Sequence, residues 1–435
     1  MLKSIFVKSA CLAVALTLYA DLSVGEPPDD VESPGVQVEF LSADALVDQI
    51  VAANPSVAAL AAAAEAARYR VEPAGSLDDP MLSYGLAPRT VDSDRLNQRF
   101  EFSQRIPWPG TLDARATVAR HEAAAAAGDH EALKLEVIAQ ARAAHAQWWF
   151  VHEALAIHHA AEVLVEELIR TASVRYAAGR SLKQDVLQVE VERADLEKEE
   201  LRLLRLQTTI QSRINALLNR PPGAPLPPAS LPGPEREPPA FEALEMIALA
   251  RHPELARLEA QLAANQSRVT VAEKAFYPDF QVGVGYNGLW DDTDKRPIVG
   301  VTINVPLNRS KRRSELAAAR ADSSRSQWAL VQRRAELLDA LARARAGIVE
   351  AKQSVRLYED ELVPLADEYL GSALADYRSG AGEFANVIDA EQRKLATDLA
   401  LAQARADYAA RLAELQRATG LLPGQPEAES SGETP

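Results

Sequence analysis

The chain has 435 residues with 47 basic and 62 acidic side chains, a formal charge of −15 that excludes a nucleic-acid partner held on a basic face. Its one cysteine, Cys11, excludes an intrachain disulfide, a four-cysteine zinc site, an iron–sulfur cluster and a cysteine nucleophile. Hydrophobic residues make up 47% but aromatics only 6%, and alanine is the commonest letter, a profile of long helices.

Residues 1–25 place Lys3 and Lys8 before an apolar run from Ala10 to Tyr19, followed by small residues, which reads as a secretory signal peptide with cleavage after Ala20 or Gly25. Cys11 lies at the start of that run, where it is not placed for lipidation. Residues 26–40 read as a flexible N-terminal segment. No later apolar stretch approaches the roughly 20 residues of a spanning helix, so any entry into a membrane falls to strands.

A repeat organises the rest. Asn54-Pro55 and His252-Pro253 open similar segments 198 residues apart, Pro80 and Pro278 keep that offset, and Tyr176-Ala-Ala-Gly179 with Asp185 matches Tyr377-Arg-Ser-Gly380 with Asn386 at 201. The sequence therefore divides into a first repeat over 41–220, a Pro-rich linker over 221–239, a second repeat over 240–421 and a disordered tail over 422–435.

Each repeat reads as helix, two strands, long helix, tight turn, helix. Strands are expected at about 81–88, 98–106, 279–288 and 297–305. Leu82, Tyr84 and Leu86, then Phe100, Phe102 and Ile106, then Phe280, Val282, Val284 and Tyr286, then Val299, Val301, Ile303 and Val305 each alternate with small or polar residues. Behind a signal peptide, that period fits an outer-membrane barrel with lipid outside and water inside; the strands alone fit a half-buried soluble sheet equally well. Four strands cannot close a barrel, which takes about eight, so a barrel needs further copies. From Thr111 to Tyr176 the chain has no proline and only Gly128, predicting a helix about 100 Å long. Ser310 to Tyr377 reads similarly, interrupted by Gly347, Pro364 and Gly371. Helices of this length with alanine and leucine seams pack as coiled coils.

Other patterns carry less. Gly283-Val-Gly285-Tyr-Asn-Gly288 matches a dinucleotide-binding spacing, but a polar turn follows where that motif needs a helix. Six of seven histidines, His121, His130, His145, His152, His158 and His159, fall on the first long helix; His145, His152 and His159 stand seven apart, roughly 10 Å between neighbours and too far to share one ion, and the set reads as packing or surface groups, with a site across chains left open. Trp148 and Trp149 read as packing anchors, and the run from Glu190 to Arg205 as a solvated helix face. No Walker loop or nucleophile elbow occurs, so enzymatic chemistry has no foothold, and no cofactor is expected.

The ordered set of the 198 to 201 residue duplication, the paired NP and HP openings, two strand pairs before long helices and two Tyr-x-x-Gly turns resembles the TolC-like outer-membrane efflux family over essentially the whole mature chain. The resemblance implies a mainly α fold with a small β part: long coiled-coil helices and four transmembrane strands per chain, forming a 12-stranded β-barrel and an α-helical tunnel as a homotrimer. It implies an exit channel in outer-membrane lipid of a Gram-negative bacterium, with the tunnel in the periplasm, served by a periplasmic adaptor protein and an inner-membrane pump of the resistance-nodulation-division type. Gly179, Arg180, Ser181 and Leu182, with Gly380, Ala381, Gly382 and Glu383, would be the adaptor-facing turns. Asp185, Tyr377, Asn386 and Asp389 would form the periplasmic gate, Tyr377 facing Asp185 and Asp389 keeping an acidic ring that Asn386 does not. Gly382 stands where the family often has an arginine. QRIPWPGTL and its partner NVPLNRS look like the strand-to-helix bend of the heavy-metal branch, which makes metal cations the expected cargo. A drug-efflux or type I secretion duct would have the same architecture, and a periplasmic coiled-coil scaffold is the rival from another class.

Overall fold

The computed structural model describes residues 40–87, 97–231, 239–288, 290 and 292–420. The signal peptide, most of the flexible segment, residues 232–238 of the linker and the tail lie outside them.

Two helices lead each half. In the first, α1 (Ala43–Ala53) and α2 (Pro55–Tyr69) meet at Asn54, followed by the short α3 (Val71–Gly75). Asn54 caps α2 by accepting from the amides of Ser56 and Val57 at 3.0 and 3.3 Å, and Pro55 occupies the first turn, where its missing N–H costs nothing. In the second half α6 (Phe241–Arg251) and α7 (Pro253–Lys274) meet at His252, whose Nδ1 accepts from the Glu254 amide at 3.3 Å. The NP and HP pairs are thus the same cap built from two side chains.

The strands β1 (Met81–Ala87), β2 (Asn97–Ile106), β3 (Asp279–Asn287) and β4 (Pro297–Asn304) form one antiparallel sheet in chain order, with β2 and β3 joining the two halves. Gly283 and Gly285 lie within β3, and among the described residues no α-helix opens after Gly288; a 3₁₀ turn, Thr293–Lys295, leads to β4. Long helices leave the sheet: α4 (Thr111–Ala177) has 67 residues, about 100 Å at 1.5 Å per residue, and α5 (Lys183–Leu217) returns along half of it. In the second half α8 (Arg309–Leu357) passes through a π-helical turn, Tyr358–Leu362, into α9 (Val363–Ser379), and α10 (Phe384–Thr419) returns. Of the interruptions expected between Ser310 and Tyr377, Pro364 coincides with the break, while Gly347 and Gly371 lie inside α8 and α9. Pro364 has no amide to donate to the carbonyl four residues earlier, and the wider turn just before it absorbs the defect.

Three apolar clusters hold the helices. Leu46 and Ile50 of α1 meet Val137, Trp148 and Val151 of α4 and Ile214 of α5. Leu244 of α6, Leu341 and Ile348 of α8 and Tyr408 of α10 form the second. Val165 and Leu168 of α4, Val189 of α5, Leu370 of α9 and Val387 and Ile388 of α10 form the third, at the end farthest from the sheet. Each fully buried aliphatic side chain contributes about 1.5–3 kcal/mol, and fully enclosed alanines on α4 (Ala141, Ala144, Ala146, Ala154) let its neighbours approach closely. Gly128 is the extreme case: a Cβ there would lie 2.8 Å from Cβ of Arg257 on α7. Trp148 donates to the Pro227 carbonyl at 2.8 Å, so the described part of the Pro-rich segment is pinned to the first cluster.

The histidines divide. His145 and His158 are buried, and Nε2 of His145 sits 2.7 Å from the Leu41 carbonyl; His159 is exposed. The charged run on α5 pairs along its own face, Lys198 with Asp195 and Arg202 with Glu199. Glu192 departs from the expected solvated face and is buried.

Candidate functional site: an uncovered sheet and two hairpin turns

The register assembles the alternating strands into two faces. Leu82, Phe102, Val284 and Val299 form one cross-strand row, Tyr84, Phe100 and Tyr286 a second, Ile106, Phe280 and Ile303 a third, and Val282 lies opposite Val301. Gln98 and Gln104 are the polar members of this face. The opposite face carries Arg99, Glu101, Ser103, Arg105, Gln281, Gly283, Gly285, Gly300 and Thr302, with a salt bridge from Arg105 to Asp279 at 2.6 Å. Nothing among the described residues covers the apolar face: Leu82 is 74% exposed, Val299 79% and Val301 63%. A half-buried soluble sheet would hide this face, whereas the observed one leaves about a dozen large apolar side chains open, far beyond the patch a water-soluble surface tolerates. No single helix among the described residues is long and apolar enough to cross a membrane. Among the described residues the outer edges of β1 and β4 are also unpaired.

QRIPWPGTL forms the bend from β2 into α4. Trp108 stacks on Tyr277 at 4.8 Å and lies near Phe280, while Gly110 takes φ +80 as the residue before α4.

At the other end two tight turns lie together. Gly179 and Gly380 adopt φ +69 and +82, the left-handed conformation that glycine takes without steric penalty. The Arg180 amide donates to the Arg175 carbonyl at 2.8 Å, and the Ala381 amide to the Asp376 carbonyl at 3.0 Å, closing both helices in the same way. Gly382 is held by its amide on the Asp376 carbonyl as well, and a Cβ there would meet Asp376 at 2.9 Å. Arg180, Leu182, Ala381 and Glu383 are exposed at the tip, with Ser181 half-buried. Asp185 and Asn386 sit in the first turns of α5 and α10, whose N-caps are Leu182 and Glu383.

Tyr377 is 5% exposed, packed on Phe384 with ring centroids 5.1 Å apart. The Arg175 guanidinium lies 4.4 Å above its ring and donates to its carbonyl at 2.6 Å, so Arg175 ties the first hairpin to the second. The Tyr377 hydroxyl has no hydrogen-bond partner and makes none with Asp185 of its own chain. Asp389 is half-exposed and not a bare anion: Arg393 Nε and the Tyr369 hydroxyl each donate to its Oδ2 at 2.9 Å, and these bonds hold its carboxyl below the usual range. Arg175, Arg393 and Tyr369 have no part in the sequence reading, because an arginine or tyrosine in a charged helix gives no periodic signal of its partner.

Residues 246–421 match the family described as outer membrane efflux protein. No curated protein sequence matches the chain. Among solved structures, the outer-membrane channel OprN superposes with a TM-score of 0.76 at 19% identity, covering 87% of this chain and 89% of that one. VceC of Vibrio cholerae, an outer membrane protein, gives 0.74 at 19%, covering 87% and 96%. CusC, whose structures address transmembrane channel formation, gives 0.75 at 15%, covering 89% and 94%. These likenesses establish the fold: the chain has the architecture of outer-membrane channels, and its second half matches the outer membrane efflux protein family.

Proposed function

We propose that the chain is the exit channel of a tripartite efflux system, three copies placing twelve strands in the outer membrane and their helices in the periplasm. The carrying observation is the uncovered apolar face, which water leaves unfavourably exposed and lipid would cover, on a sheet whose opposite face is polar and whose two edges await strands. Conduction is passive, since the polar face and tunnel need only water and charge. The 41–220 and 240–421 repeats would supply equivalent walls. The exposed turns from Gly179 to Leu182 and from Gly380 to Glu383 would meet the adaptor, itself joined to an inner-membrane pump.

Asp185, Tyr377, Asn386 and Asp389 would line the closed end. The enclosed Tyr377 hydroxyl supports a latch in which the ring moves between the Arg175 and Phe384 pocket of its own chain and Asp185 of a neighbouring copy. Pairing with Arg393 weakens the cation-attracting field of an Asp389 ring, though it leaves the carboxylates ionised. Metal cations as cargo rest on the QRIPWPGTL bend alone. The test is reconstitution of the full chain in planar bilayers: stepwise conductance is expected, and a folded protein that gives none refutes the reading. Growth of a deletion strain on zinc, cobalt, cadmium, copper and silver, beside hydrophobic drugs and detergents, decides the cargo.

A further inference from the structure

The third apolar cluster contains a group that does not belong among leucines. Glu391 of α10 is 2% exposed, and its Oε2 makes no hydrogen bond. It borders a cavity of about 90 Å³ lined by Ile157, Ala161 and Leu164 of α4, Leu370 of α9 and Leu395 of α10. Lys394 and Asp398 also reach this cavity, but the ammonium is already taken, 2.6 Å from Asp367 of α9 and 2.9 Å from Asp398. The group facing Glu391 from α5 is a second acid: Glu192, 7% exposed, which accepts from the side-chain Nε2 of Gln392. On α4, beside the cavity-lining Ile157 and Ala161, stand His158, buried with Nδ1 3.8 Å from Glu162, and Glu162 itself; Glu199 of α5 interacts with His158.

We propose that this end of the rod carries a proton-binding joint: the Glu391 carboxyl, enclosed beside Glu192, holds a proton while α10 is packed on α4 and gives it up when the two part. Two neighbouring carboxylates without a free cation cannot both be ionised cheaply in an apolar wall. Burial, with Glu192 adding to it, pushes the Glu391 carboxyl up to about 7. The ordinary value is 4.5, so the packed wall binds the proton more tightly than the parted one. Packing is therefore fully favoured below about pH 4.5 and loses that advantage as pH rises through about 7. From these two values the packed-to-parted ratio changes roughly 30-fold between pH 5.5 and pH 8.

The placement gives the joint leverage. Glu391 lies seven residues beyond Phe384, the first residue of α10, about 10 Å along the helix from the turn, so a change here moves the hairpin tip. Its counterpart at the 201-residue offset, Glu190, is exposed, so the repeat does not duplicate the device. The joint is a property of the wall; only its effect on a gate rests on the channel reading.

Hydrogen–deuterium exchange of the full chain, followed by mass spectrometry at pH 5.5 and pH 8 and corrected for intrinsic exchange rates, tests it. Peptides spanning 384–398 and 157–165 are expected to lose roughly 30-fold in protection at pH 8 in the wild type. Glu391→Gln, which mimics the protonated group without changing its size, is expected to stay protected at both pH values. Glu192→Gln, by removing the neighbouring charge, is expected to move the transition to lower pH. A wild type without pH dependence, or one whose dependence persists in Glu391→Gln, overturns the proposal. Exchange reads the packing whether or not the protein conducts: absent conductance with pH-dependent exchange sinks the channel reading alone, and flat exchange with normal conductance sinks the joint alone.

Discussion

Replacing Val301 by lysine separates a lipid-facing sheet from a water-facing one, because the two environments give opposite answers for the same side chain. Val301 is 63% exposed in the chain, directly opposite Val282, and lies four residues into an eight-residue strand. At roughly 3.4 Å per residue it sits about 10–14 Å from either end of β4, close to the middle of any apolar layer the sheet crosses. A lysine at that depth on the lipid face of a barrel costs about 2–4 kcal/mol per chain, or about 6–12 kcal/mol over three copies. On a sheet facing water, the same change at an exposed position stays within about 0.5 kcal/mol. The matched control is Thr302→Lys, one residue along on the polar face opposite Gln281, where a lysine meets water in either case. The assay is a urea titration of protein folded into lipid vesicles, with outer-membrane fractionation of cells expressing each variant. Val301→Lys is expected to lower the midpoint strongly and to reduce the assembled fraction, with Thr302→Lys close to wild type. Equal midpoints for the two variants would refute the assignment of faces and return the chain to the scaffold reading.

Tyr377→Phe removes only the buried, unpartnered hydroxyl, so folding stability is expected to stay level or rise by up to about 1 kcal/mol, while bilayer conductance rises if that hydroxyl latches the closed end. Unchanged conductance in the folded variant rejects the latch. Gly128→Ala pushes a methyl into the backbone of Arg257, and a loss of about 1–3 kcal/mol by thermal or urea unfolding is expected, against a gain if the site were an ordinary helix surface. Arg393→Ala frees the Asp389 carboxylate, and reversal potentials in a salt gradient are expected to show stronger cation preference. Burial holds the His252 imidazole below its ordinary 6.5, so the folded chain keeps it neutral where the unfolded chain protonates it. Its contribution to stability is present above about pH 6.5 and is lost as pH falls. His252→Asn, which copies the cap at Asn54, is expected to reduce that acid loss; a Glu391→Gln background removes the opposing slope, and unfolding midpoints between pH 5 and pH 7 report the difference.

How much of this was legible in the sequence depended on periodicity. Leu82 to Leu86 and Phe280 to Tyr286 announce their strands because a period of two survives without context, and Gly179 and Gly380 announce their turns because the left-handed residue is fixed by local sterics. The pairing of β2 with β3 across the repeat boundary leaves no such trace, since nothing in Phe102 specifies Val284 as its neighbour. The same limit hid Glu192 and Glu391. Glu192 sits in the run that reads as a solvated face and Glu391 in a stretch that drew no reading, and their burial follows from which side of α5 and α10 meets α4. The contacts around the turns were missed for a related reason. Arg175 and Tyr377 are 202 residues apart, and a cation over a ring is a relation between two helices that neither helix encodes alone.

The open edges of β1 and β4 also set the terms on which the chain can be made. In hydrocarbon each unpaired amide and carbonyl along an edge costs several kcal/mol, so on the channel reading a lone chain would have no stable inserted state to wait in. On the proposed closure, insertion and assembly become one event, with a rate that depends steeply on how many copies meet at the membrane. A defective copy that still pairs would then be dominant over its sound neighbours: at equal expression roughly one assembly in eight would escape it, by random choice of three chains from two equal pools. Dosage, as much as sequence, would decide how much channel a cell obtains.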